Sequence, residues 1–128
     1  MFVRFVIRQL DPKSGRRQGL FQAAKDLRES GALGREDNDA LEEIRDWFNT
    51  HLERPSRLSI SSRPNRKAQA ISWFRSTASR HIGKMRDFQR ILESYGVAVE
   101  MIKTRRPGYI VYEDKFQIAA HPFSDTQT

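Results

Sequence analysis

The chain has 128 residues, of which 38 % are hydrophobic and 30 % charged, with 23 Lys and Arg against 16 Asp and Glu for a formal charge of +7. That length encloses one sizeable core and no second one, which excludes a two-domain enzyme. No apolar run approaches the roughly eighteen residues that cross a bilayer, and the absence of cysteine excludes disulfides, thiolate metal sites and cysteine nucleophiles, so a cytoplasmic protein with no membrane partner is the expectation.

The chain opens on Phe2-Val3-Arg4-Phe5-Val6-Ile7-Arg8, whose β-branched and aromatic residues predict a strand with Val3, Phe5 and Ile7 on one face. Asp11-Pro12 and Gly15 break it. Leu20, Ala24 and Leu27 recur at helical spacing and predict a first helix over about 18–30, stopped at Ser30-Gly31. The acidic stretch Glu36-Asp37-Asn38-Asp39 suits a helix N-terminus. A second helix follows with Leu41, Ile44, Phe48 and Leu52 buried and Trp47 on the flank, ending before Pro55.

Residues 53–67 change character, with prolines, serines and basic side chains in place of apolar ones, and predict a long basic loop. Ile71, Phe74, Ala78, Ile82, Met85, Phe88, Leu92 and Tyr95 then step by three or four, which predicts one long helix stopped at Gly96. After it the period falls to two: strands over 97–102, 109–112 and 116–120 are expected, the first two joined as a hairpin by Arg105-Arg106-Pro107-Gly108 and the second lying centrally. The fold class is therefore α+β, two-layered, in the order β-α-α-α-β-β-β. Three helices pack on one face of a largely antiparallel sheet; residues 1–123 form the domain and 124–128 a frayed tail.

Charge is polarised along the chain: residues 26–53 carry nine acidic and three basic groups, residues 54–90 ten basic and one acidic. Seventeen of the 23 cations are Arg, whose planar fork engages phosphate bidentately and stacks on flat rings. The sharpest cluster is Arg54, Arg57, Arg63, Arg66 and Lys67, interleaved with serines whose hydroxyls donate to phosphate oxygens. Arg75, Arg80, Lys84, Arg86 and Arg90 extend it along the long helix, Arg105 and Arg106 form a further basic pair, and Trp73, off the apolar stripe, is expected to pack against a neighbouring helix or protomer, with stacking on a base as the alternative. The expected function is binding of nucleic acid, RNA ahead of DNA, or of another polyanion, mainly through its phosphate backbone. The alternative is a protein-interaction module or homodimer using the acidic second helix (Glu36, Asp37, Asp39, Glu42, Glu43, Asp46).

No catalytic signature stands out. His51, His81 and His121 are thirty and forty positions apart, without metal-ligand spacing, so neither a metal nor a cofactor is expected. The one arrangement that could carry chemistry is a metal-independent ribonuclease with Glu113 and His121 as base and acid, a third reading.

Overall fold

A computed structural model describes residues 1–12, 15–54 and 70–128. Among them are β1 (Phe2–Leu10), β2 (Arg17–Gly19), α1 (Leu20–Glu29), α2 (Arg35–His51), β3 (Ile71–Arg75), α3 (Ser79–Ser94), β4 (Val99–Thr104), β5 (Tyr109–Glu113) and β6 (Gln117–His121). The class is α+β, with three helices and a six-stranded antiparallel sheet. No helix among the described residues is long and apolar enough to cross a membrane.

The observed order, β-β-α-α-β-α-β-β-β, has two strands more than the sequence reading. Arg17–Gly19 pairs with the far half of β1 rather than forming loop. Ile71–Arg75 is a strand and not the first turn of the long helix, which begins only at Ser79. The reason is tertiary: Ile71, Trp73 and Phe74 satisfy either period, and the slot between β1 and β6 offers backbone partners on both sides, which β-branched and aromatic residues favour. Ala78 donates its N–H to the Arg75 carbonyl in the turn between the two elements.

Register decides which residues share a face, since directly paired residues point the same way and neighbours along a strand alternate. Val3, Phe5 and Ile7 pair with Lys103, Met101 and Val99. With Leu20 and Ala24 of α1, Leu41, Ile44 and Phe48 of α2 and Met85, Phe88 and Leu92 of α3 they form the larger core. Val6, Ile71, Trp73, Ile102, Ile118 and Ala120 form a second cluster on the opposite face.

That second face is buried because the sheet curls. The connection from Thr104 to Tyr109 reaches about 18 Å at full stretch, yet β4 and β5 lie at opposite ends of the path β4-β1-β3-β6-β5, about 19 Å apart if four interstrand steps were flat. The expected β4–β5 hairpin is accordingly absent: β4 pairs with β1 and β5 with β6. β5 is terminal rather than central, and Tyr109 is 62 % exposed. Gly108 makes this connection possible. At φ +128° its missing Cβ would sit 1.9 Å from the His121 carbonyl oxygen, so only glycine lets the two backbones approach.

Candidate nucleic-acid interface

The C-terminus of α2 and the N-terminus of α3 meet across a groove of about 880 Å³ lined by Trp47, His51, Arg54, Ser79, Arg80, His81, Lys115 and Phe116 among others. His51 ends α2 with its imidazole turned back: Nδ1 lies 2.8 Å from the Trp47 carbonyl one turn earlier. A carbonyl only accepts, so Nδ1 carries the proton there. The same turn stacks the His51 ring on the Trp47 indole, 4.3 Å between centroids and 12° between planes.

α3 supplies the charge. The Arg80 guanidinium carbon lies 5.4 Å and the Lys84 Nζ 5.6 Å from the centroid of the Trp47 ring, one helical turn apart on one face and within cation–π range. The N-cap of α3 is Ala78, which makes no side-chain capping bond, so the positive end of the helix dipole opens on the groove beside these cations. Beneath them His81, buried at 4 % exposure, packs on Phe116 at 4.4 Å and closes the floor. Two acids line the groove, the exposed Glu53 and Asp114; Asp114 is engaged by Tyr112 Oη (2.7 Å) and by the Phe116 and Gln117 backbone N–H groups.

The residues nominated from sequence do not all converge here. Arg54 lines the groove and is exposed. Arg75 belongs to β3: its Nε donates to the Asp114 carbonyl at 2.8 Å and its Nη2 pairs with Glu113 at 3.1 Å. Arg86 reaches Met101 Sδ at 3.7 Å, and Arg90 pairs with Asp87 at 3.2 Å. Arg105 is exposed after β4, and Arg106 faces Asp125 at 3.7 Å. Neither lines the groove. Arg57, Arg63, Arg66 and Lys67 lie outside the described residues.

Trp73 does not face solvent. It is 1 % exposed in the second core cluster, and the aromatic beside the cations is Trp47. The signal for Trp47 was present in sequence, since Trp47/His51 and Arg80/Lys84 are two i,i+4 pairs flanking the long basic loop.

Glu113 and His121 are not brought together. Tyr109 pairs with His121 and Glu113 with Ile118, which puts the two about 10 Å apart along the hairpin and on opposite faces, Ile118 being in the second cluster. Glu113 is engaged by Arg75 and His121 is buried. Among the described residues no three His, Asp or Glu gather as a metal site. Comparison with known proteins finds no family model that matches the chain, and no match to it among curated proteins or solved structures.

Proposed function

We propose that the protein binds single-stranded nucleic acid, RNA ahead of DNA, through the groove between α2 and α3, with phosphates on Arg54, Arg80, Lys84 and Lys115 and a base on the Trp47/His51 stack. The observation that carries this reading is the placing of Arg80 and Lys84 over the half-buried Trp47 indole at an uncapped helix N-terminus. Cations that track a backbone next to an aromatic platform are what sequence-tolerant single-strand binding needs. Another polyphosphate meets the same cations but gains nothing from the stack. A duplex keeps its bases inside and cannot use the platform either.

Arg54, which lines the groove, directly precedes the basic segment 55–69, whose cations raise the chain's overall pull on a polyanion. The acidic-helix reading is weaker by two carboxylates, because Asp37 accepts from Tyr95 Oη at 2.6 Å and Glu42 pairs with Arg28. No reaction is proposed. The test is fluorescence anisotropy of labelled single-stranded RNA, duplex DNA and a charge-matched polyanion. Preference for the RNA is expected, and equal binding to all three would remove the stacking platform from the account.

A further inference from the structure

The aromatic stack at the end of α2 has one open face. The Trp47 indole is half-buried, carries Arg80 and Lys84 over its ring and has His51 stacked on it with 4.3 Å between centroids. His51 is exposed and lines the groove, so a base that joins the stack lies on the imidazole rather than on the indole. Stacking tolerates any base, since every base has a π-face, and by itself it does not tell ribose from deoxyribose. That distinction needs a partner for the 2′-hydroxyl.

The imidazole supplies one. Its Nδ1 lies 2.8 Å from the Trp47 carbonyl; the carbonyl only accepts, so the neutral ring keeps its proton on Nδ1 and leaves a bare lone pair on Nε2. With Nδ1 turned back to the helix, Nε2 is on the far side of the ring, and it has no hydrogen-bond partner among the described residues. The charged groups of the groove suit a hydroxyl donor less. Arg54, Arg80 and Lys115 only donate. Both oxygens of Asp114 are taken, Oδ1 by the Phe116 and Gln117 N–H groups and Oδ2 by Tyr112 Oη, and the exposed carboxylate of Glu53 repels the phosphates that flank a ribose. Nε2 accepts without charge.

We infer that His51 is the residue by which the groove prefers RNA to DNA: a base stacks on the open face of its ring and the 2′-hydroxyl donates to Nε2. This rests on the groove between α2 and α3 as the nucleic-acid site. The tautomer is decisive. With the proton on Nε2 that edge would be a donor, which a methylated 2′-oxygen could meet as well as a hydroxyl, whereas a bare Nε2 needs the hydroxyl's own proton.

Three labelled single strands of about ten nucleotides, identical in a sequence of adenine and cytosine and differing only in the sugar, test this by anisotropy: RNA, DNA and 2′-O-methyl RNA, at about pH 8, where an imidazole is neutral. RNA is expected to bind about three- to tenfold more tightly than either of the others, the effect of one hydrogen bond. His51→Phe keeps a ring on Trp47 and loses Nε2, so it should bind all three alike and hold the parent's affinity for DNA. His51→Ala loses the ring as well and should weaken all three. ¹⁵N-NMR, with His51→Phe to assign the imidazole, should show Nδ1 protonated and Nε2 bare, and RNA should shift Nε2 more than DNA does. Equal binding of RNA and 2′-O-methyl RNA by the parent, an RNA preference that survives in His51→Phe, or a proton on Nε2 would overturn the assignment while single-strand binding stands. Failure of all three strands to bind would remove the groove reading and this one with it.

Discussion

Nε2 of His81 lies 2.8 Å from the carbonyl oxygen of His51, and this bond joins the first turn of α3 to the last residue of α2. The carbonyl can only accept, so Nε2 carries the proton. The imidazole is also packed by Trp47, Phe48, Phe74 and Phe116, which fixes Arg80 and Trp47 relative to each other. Replacing His81 by Ala should cost about 2–4 kcal/mol, from the lost bond and the cavity left behind. It should weaken RNA binding as well. Chemical denaturation measures the first effect and anisotropy the second; a stable variant with unchanged affinity would show that the groove needs no such floor.

Gly108 should tolerate no side chain. A Cβ at 1.9 Å from the His121 oxygen and 2.8 Å from Pro122 Cα, at positive φ, forces the backbone apart rather than a flexible side chain aside. Gly108→Ala is therefore expected to lose at least about 2 kcal/mol, read as a lower denaturation midpoint. Retention of the parent midpoint would mean that the β4–β5 connection is free to relax.

The turn after β5 sets an acid limit on stability. Burial pushes Asp114 up, but the hydroxyl of Tyr112 and the N–H donors of Phe116 and Gln117 outweigh it, leaving its pKa below the ordinary 3.8. A carboxylate lowered in the fold adds stability that is full well above the unfolded pKa and is lost as pH falls through the folded one. Asp114→Asn should accordingly be less stable than the parent at pH 7, with the gap closing toward pH 3. A gap that does not change between these pH values would contradict this. The same hydrogen bond, with burial second, raises Tyr112 to about 12; a raised phenol contributes below about pH 10 and loses its contribution as pH rises through about 12.

What was legible in the sequence followed from periods that one partner could satisfy. Val3, Phe5 and Ile7 announced β1, and Leu41, Ile44 and Phe48 announced α2, because each set has one buried face against the same core. Ile71 to Arg75 was not legible, since its spacing fits helix and strand equally and only the neighbouring β1 and β6 decide. The β4–β5 turn was equally opaque: Pro107-Gly108 codes for a reversal, but which strands pair across it depends on the curl of the whole sheet. Charge raised the expectation of a polyanionic partner and left its place open. Arg75 and Arg106 are matched to acids that only the fold brings near and Arg90 to Asp87 on its own helix, whereas Arg80 and Lys84 come to lie over Trp47 from a different helix.

The core itself has a simple test. Phe88 is 1 % exposed, packs on Phe21 with ring centroids 5.1 Å apart, and stands among residues of α1, α2 and β1. Phe88→Ala should cost about 3–5 kcal/mol by urea denaturation, and a loss under about 1 kcal/mol would be incompatible with α3 closing this core.

The central claim is tested most directly by titrating labelled single-stranded RNA with the parent and with an Arg80→Gln, Lys84→Gln double variant, at about 50 and about 200 mM salt. Arg80 lines the groove and Lys84 lies over the Trp47 ring, neither belonging to the core, so the variant should keep the parent's circular dichroism. It is expected to bind at least tenfold more weakly at the lower salt and with a flatter salt dependence, by about 0.7 in the log–log slope for each phosphate contact removed. Parent-like affinity and slope in a folded double variant would show that the groove between α2 and α3 is not where nucleic acid binds.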